Sequence, residues 1–368
     1  MERVAGGPQG TAVSSAAPAR DNPTTMVTAM HGSAYLVSGF PGATFPSPGD
    51  ADNRAHLSEL DRSLIRLLQL DGRRSFAAIS RELGIPEKTI RRRVNELLES
   101  RVIQITTVAD PAVLGYTVAA LVGIRVDGRR GIKPLIESLA KLPAVDYAVI
   151  TTGRYDALVE VLCRDTAELL TAVDESFVRA PGVRSAEVFP YLQLHYQEPV
   201  WDVGQRNGGN GQAEARAPLD GTDRRIVAEL STDGRLPFGL VGERLGISES
   251  QVRKRVTRML QEKTIRITAI ANPRSLGFAM QAWMAIRCAP GHSITDLADT
   301  LTKLPSIKYV VTCAGRFDIF VEAVCRDSRD LMHLVDSDIR TLTGVAHTEL
   351  LLCLDLYYRA VQPVTLEN

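Results

Sequence analysis

Two short runs in this chain set cationic and hydrogen-bonding side chains at helical spacing. One is Lys88-Thr89-Ile90-Arg91-Arg92-Arg93-Val94, the other Ser250-Gln251-Val252-Arg253-Lys254-Arg255-Val256. In the first, Ile90, Val94, Leu97 and Leu98 define a buried stripe, which turns Lys88, Thr89, Arg91, Arg92 and Asn95 outward. In the second, Val252, Val256, Met259 and Leu260 are the expected stripe, and Ser250, Gln251, Arg253, Lys254 and Thr257 face out. Arg93 and Arg255 fall at the boundary, within reach of a phosphate backbone. A guanidinium pairs with guanine and a Gln amide with adenine in the major groove of double-stranded DNA, so both helices carry the chemistry of base reading. A solvated basic face is the bland alternative for a lone run. Two runs at the same place in a repeated pattern argue against it.

Other chemistries are missing. The six histidines (His31, His56, His195, His292, His333, His347) have no metal-ligand spacing to any Cys pair. There is no phosphate-binding Gly loop and no nucleophile elbow, so no catalytic residue, metal or cofactor is expected. Cys163 and Cys325 fall at equivalent strand positions and read as core. Five cysteines without a paired framework suit a reducing compartment, and apolar runs such as Val118–Ile124 are too short to span a bilayer. The N-terminus has no basic head followed by an apolar run, so no signal peptide is expected. A cytoplasmic, soluble protein follows as the expectation.

The elements that position these runs come as a duplication. Residues 57–196 and 219–358 align without a gap at an offset of 162, with 51 of 140 positions identical. Each copy joins a basic front to an acidic back. Residues 57–107 and 219–269 each hold ten Lys/Arg against seven Asp/Glu, while 108–196 hold nine against eleven and 270–358 eight against ten. That polarity suits a nucleic-acid binder whose second domain should not adhere to phosphate. Such a repeat implies a covalent pseudo-dimer, with room for a higher homo-oligomer.

In each front half, Ser58-Glu59-Leu60-Asp61 and Asp220-Gly221-Thr222-Asp223 have capping-box spacing before a first helix, which ends at Asp71-Gly72-Arg73 or Asp233-Gly234-Arg235. A short second helix runs to Leu83, Gly84 supplies a left-handed stop, and the basic run forms a third helix after Pro86, or after Ser248 in copy two. This is a three-helix, winged-type helix-turn-helix. The back half predicts strand 117–126, helix 132–142, strand 145–151, loop 152–156, strand 157–163, helix 166–178 and strand 183–196. The order βαββαβ is that of a ferredoxin-like sandwich whose open sheet face would pack on the same face of the other copy. The expected fold is α+β, in tandem: helix-turn-helix domains at 57–107 and 219–269, ferredoxin-like domains at 108–196 and 270–358. Residues 1–56 read as disordered, 197–218 as a flexible linker and 359–368 as a tail.

With these motifs in hand, the chain resembles the Lrp/AsnC family of bacterial and archaeal regulators. The carrying residues are Leu57–Asp61 into Ile65, Asp71-Gly72-Arg73, Leu83-Gly84-Ile85, Ile90-x-x-Arg93-Val94-x-x-Leu97, Ile103, Asp110-Pro111, Gly115 and Gly153-x-x-Asp156. Copy two repeats nearly all of them, with Asn272-Pro273 in place of Asp-Pro. The resemblance implies that the back half senses an effector, often an amino acid. Thr152, Gly153, Arg154, Tyr155 and Asp156, and in copy two Gly315, Arg316, Phe317 and Asp318, would line a pocket between subunits. Gly would admit a carboxylate to backbone amides and Asp would accept from an ammonium; the alternative is that Gly153 and Asp156 only build a turn. Siroheme decarboxylases are similar to this family but are expected to lose the basic reading helix and to carry His and Arg in the back domain. Here both basic helices are present and His195 is the one back-domain histidine of copy one, which argues against an enzyme. A nucleoid-type architectural protein, binding DNA with little sequence preference, is a further alternative.

Overall fold

The computed structural model describes residues 57–100, 102–109, 111–128, 131–197, 219–271 and 276–358. The expected disordered segment 1–56, all but the first residue of the expected linker, and the expected tail 359–368 lie outside the described residues.

Copy one opens with helices α1 (Glu59–Leu70), α2 (Phe76–Leu83) and α3 (Glu87–Glu99). The Ser58 hydroxyl accepts from the Asp61 amide, and the Asp61 carboxylate accepts from the Ser58 amide, so two unpaired first-turn donors are satisfied reciprocally. Gly84, at φ +67°, ends α2, and Pro86 starts α3. Leu64, Leu68, Ile79, Ile90 and Val94 are fully buried where the three helices meet. Each such side chain contributes about 1.5–3 kcal/mol relative to exposure. Copy two repeats this with α7 (Gly221–Thr232), α8 (Phe238–Leu245) and α9 (Glu249–Gln261). There the expected capping box is half-formed: Asp220 accepts from the Asp223 amide, but the Asp223 carboxylate is held by Arg255 and Arg258 instead.

A strand that the apolar pattern did not announce follows each helix-turn-helix. Strand β1 (Ile103–Ala109) pairs antiparallel with β6 (Ile265–Ala271), Thr106 opposite Thr268, which is its equivalent in the repeat. Each threonine hydroxyl reaches across to a carbonyl near the end of the other copy's first helix, Thr106 to Ser231 and Thr268 to Gln69, both at 2.7 Å. The ribbon therefore joins the two front halves.

Beyond the short helix α4 (Pro111–Leu114), each back half carries the expected βαββαβ order. Copy one has β2 (Val118–Val126), α5 (Ile132–Leu139), β3 (Val145–Thr151), β4 (Ala157–Cys163), α6 (Thr166–Thr171) and β5 (Val183–Gln197). Copy two has β7 (Met280–Cys288), α10 (Ile294–Leu301), β8 (Ile307–Cys313), β9 (Ile319–Cys325), α11 (Ser328–His333) and β10 (Val345–Tyr358). Two helices differ from expectation. The first stops at Leu139 rather than residue 142, and the second passes into a π-helical segment over Ala172–Val178, as its counterpart does over Leu334–Ile339.

The two sheets close into one eight-stranded barrel in the order β10-β3-β4-β2-β5-β8-β9-β7. Closure explains the length of β5 and β10. β5 pairs with β2 up to Pro190 and with β8 from Tyr191, while β10 pairs with β7 up to Leu352 and with β3 from Cys353. Period-2 alternation sends Leu158 and Leu162 of β4 inward and Val159 and Val161 outward under helices α5 and α6. The open face of each sheet is thus covered by the other copy, as expected.

Candidate nucleic-acid interface and inter-copy loops

Helix α3 presents Lys88, Arg91, Arg92 and Asn95 to solvent with Thr89 half-buried, while α9 presents Ser250, Gln251, Arg253, Lys254 and Thr257. Ile90, Val94 and Leu97 form the inner stripe of α3 with Leu98 half-buried, and Val252, Val256 and Met259 form that of α9. Leu260, expected in that stripe, is 39% exposed: it lies one position past Met259, beyond the reach of the three-helix core. The outward arginines rest on acids one turn back or ahead, Arg91 on Glu87 (2.8 Å), Arg92 on Glu96 (2.6 Å) and Arg253 on Glu249 (2.5 Å). Such exposed pairs are worth about 0–1 kcal/mol, so a phosphate or a base edge can displace them.

Arg93 and Arg255 take a role that helical spacing alone did not reveal. Arg93 turns inward, bonding the fully buried Asp61 at 2.5 and 2.7 Å and Glu96 at 2.7 Å. Burial pushes the Asp61 carboxyl up, but hydrogen bonds from Arg93 and Ser58 outweigh it and hold the group below its ordinary range. Hydrogen bonding to Asp61, then to Glu96, raises Arg93. In copy two, Arg255 reaches Asp220 (2.6 Å) and buried Asp223 (2.9 Å). These arginines tie the third helix to the start of the first, each with a third of its side chain still exposed.

The Asp-Gly-Arg motifs also act between copies. Arg73 donates to the carbonyls of Gly234 (2.7 Å) and Leu236 (3.1 Å), and Arg235 donates to those of Gly72 (2.8 Å) and Arg74 (2.6 Å). The amides of Gly72 and Gly234 donate across to Ile267 and Ile105, each at 2.8 Å. A Cβ on Gly72 would lie 2.9 Å from the Ile105 side chain and 3.0 Å from the Ile267 carbonyl, so a larger residue would force the inter-copy contact to shift.

In the back halves, each 152–156 type loop packs on the opposite copy. The Thr152 amide donates to Leu352 (3.0 Å) and the Ala314 amide to Pro190 (3.0 Å). Gly153 has φ +101° and would put a Cβ 3.1 Å from the Leu350 carbonyl oxygen. Arg154 bonds Glu349 at 2.5 and 2.6 Å, and Arg316 bonds Glu187 at 3.0 Å. Tyr155, buried, donates to Glu187 (2.7 Å), a bond its counterpart Phe317 cannot make. Asp156 and Asp318 accept from the amides of Val126 and Cys288, both at 2.8 Å, so these carboxylates build the turn. Arg287 adds bonds to the Gly315 and Arg316 carbonyls, at 3.1 and 2.8 Å. The loops thus pack across the two copies, and Glu187, Glu349 and Arg287, which the sequence reading did not single out, join them. Their signal was present: Glu187/Glu349 and Arg125/Arg287 are identical across the repeat.

The remaining candidates are structural. His195 is buried, its Nδ1 3.0 Å from Asp299 and its Nε2 3.5 Å from Thr312 of copy two. Burial pushes the Cys163 thiol up to about 12 and that of Cys325 up to about 11, the range of inert core thiols. Among the described residues no cluster of His, Cys, Asp or Glu could hold a metal ion, and no helix is long and apolar enough to cross a membrane.

Comparison with known proteins agrees with this layout. Residues 57–98 and 219–260 match the AsnC-type helix-turn-helix domain, and residues 119–201 and 281–362 match the Lrp/AsnC ligand binding domain. An uncharacterized HTH-type transcriptional regulator of Pyrococcus abyssi is 38% identical over 135 residues, covering 36% of this chain and 85% of that protein. The HTH-type transcriptional regulator FL11 of Pyrococcus horikoshii is 33% identical over 143 residues, covering 39% of this chain and 93% of its own length. Each such relative spans one copy. A crystal structure of the siroheme decarboxylase NirDL matches both copies, with a TM-score of 0.58 at 17% identity over 84% of this chain and 95% of that one. At that identity the likeness concerns the fold alone.

Proposed function

The chain belongs to the Lrp/AsnC family of DNA-binding transcriptional regulators, and we propose that it reads two unequal half-sites with two helix-turn-helix heads carried on one polypeptide. The observation that carries this reading is the pair of solvent-facing helices α3 and α9, each with cationic and amide side chains outward. Arg91 and Arg253 are equivalent, whereas Lys88-Thr89 faces Ser250-Gln251 and Arg92 faces Lys254. One feature of the half-sites is therefore shared and the others differ, giving an imperfect palindrome with centres roughly 34 Å apart or a multiple of it. Arg93 and Arg255 serve by orienting these helices.

An amino acid is the effector class that suits the inter-copy loops. A zwitterion could exchange with the Arg154–Glu349 or Arg316–Glu187 pair, its carboxylate on Arg and its ammonium on Glu. Glu349 and Glu187 take the place first given to Asp156 and Asp318, each of which gives one oxygen to a backbone amide that shapes the turn.

The test is binding to the DNA upstream of its own gene and to random DNA of equal length at two salt concentrations. Selective binding that persists at the higher salt is expected. Equal, salt-labile binding to both would favour an architectural protein. No binding to either, with a Soret band on adding an iron porphyrin, would replace this reading with the enzymatic one. Buried His195, already engaged by Asp299 and Thr312, speaks against that outcome.

A further inference from the structure

Each helix-turn-helix carries a phenylalanine at the first position of its second helix, Phe76 in α2 and Phe238 in α8. Two guanidinium groups lie over each ring. Arg91 of the same copy is 5.0 Å from the Phe76 centroid, and Arg235 of the other copy is 4.5 Å from it. Phe238 repeats the arrangement with Arg253 of its own copy at 5.4 Å and Arg73 of the other at 4.1 Å. One member of each pair is an outward arginine of the third helix, and the other is the clasp arginine that bonds the opposite copy's backbone. Each copy's clasp thus meets the other copy's reading arginine on a single aromatic ring.

The energetics favour a specific role. Two cations near one ring repel, and the field of Arg91 is among the causes that lower Arg235, after burial and the field of Arg73. The ring quadrupole attracts both and offsets that repulsion. The clasp arginines are anchored by their bonds to the carbonyls of Gly72, Arg74, Gly234 and Leu236. The reading arginines are less tightly held: Arg91 is 58% exposed and, among the described residues, ion-paired with Glu87 alone. The anchored partner therefore restricts the looser one, and ordering a long side chain before binding lowers the entropy lost on docking.

We infer that Phe76 and Phe238 are positioning residues which, with the clasp arginines, preset Arg91 and Arg253, so that the clasp of each copy tunes the base preference of the other copy's helix. This rests on the DNA-binding reading above. The coupling is crossed: Arg235 lies in copy two but acts on the half-site read by copy one.

The experiment is selection of binding sites from a randomised library with the full chain. Arg91→Ala and Arg253→Ala first assign each half-site to its helix. Arg235→Lys keeps the charge but loses the planar fork, and Phe76→Leu keeps most of the volume but loses the ring face. Both are expected to weaken discrimination about two- to five-fold in the copy-one half-site, the size of one exposed cation–π interaction, while leaving the copy-two half-site unchanged. Phe76→Tyr should restore it. If Arg235→Lys fails to fold in a thermal melt, the Phe76→Leu and Phe76→Tyr pair decides alone. A loss confined to the copy-two half-site, a loss equal in both, or no loss in either would overturn the inference while leaving the DNA-binding reading intact. A wild-type chain that selects no sequence would overturn both.

Discussion

An arginine can hold a buried carboxylate or a phosphate, and its neighbours decide which. Arg93 is held by Asp61, which is fully buried and would lose its counter-charge in Arg93→Ala. A cost of about 2–3 kcal/mol is expected, less than for a fully buried pair because Arg93 keeps a third of its side chain in water. Thermal denaturation checks this, and the double variant with Asp61→Ala should recover part of the loss; equal loss in both would deny the coupling. A second residue-scale device lies inside the barrel, where Glu322 accepts from Gln281 (2.6 Å) and Tyr147 (3.1 Å) and its equivalent Glu160 accepts from Tyr309 and Tyr191, both at 2.6 Å. Burial raises Glu322 to about 7, against the hydrogen bonds from Gln281 and Tyr147 and with the field of Glu160. A carboxyl raised on folding holds its proton more tightly in the native state. Its stabilisation is full below the unfolded value and is lost as pH climbs through about 7. The melting temperature should therefore fall between about pH 5 and about pH 8, and Glu322→Gln should flatten that fall. Burial raises Asp146 and Glu160 in the same direction, so part of the slope remains. A variant with an unaltered slope would show that Glu322 does not set it.

At the scale of the element, α3 and α9 divide their surface between core and solvent, and the division makes a salt-sensitive prediction. Replacing Arg91 and Arg92 by Ala should weaken binding and reduce the slope of log K against log salt by roughly 0.9 for each phosphate no longer neutralised. An unchanged slope would mean that neither arginine meets the DNA backbone. Helices and most strands were legible because their apolar periods and caps are local: Ser58 with Asp61, Gly84 and the Ile90–Val94–Leu97 stripe each act within a few residues. Strand β1 was not, because its seven residues mix Gln104, Thr106 and Thr107 with apolar ones and state no partner, and its partner β6 lies 162 positions away. The inward turn of Arg93 escaped for the same reason: it depends on a carboxylate 32 positions back.

For the whole molecule, several positions that the repeat keeps identical serve the contacts between copies. Gly72, Arg73, Phe76, Tyr147, Arg154, Glu160 and Glu187 are all identical to their equivalents, and every one meets the other copy or a residue that does. The sequence could not say how the sheets close, since strand exchange by β5 and β10 depends on pairing across the pseudo-dimer. Because the clasp has no room for a Cβ, Gly72→Val should loosen the spacing of the two heads. Affinity for a full site should drop at least about ten-fold while an isolated half-site is bound as before. Equal loss on both DNAs would point to misfolding of one head instead.

The most direct test of two-headed, unequal reading is selection of bound sequences from a random DNA library by the intact chain at moderate salt. Two related but non-identical half-sites are expected, with centres roughly 34 Å or a multiple apart, one altered by Arg91→Ala and the other by Arg253→Ala. Recovery of sequences without a common motif, or of two identical half-sites altered alike by both substitutions, would contradict it.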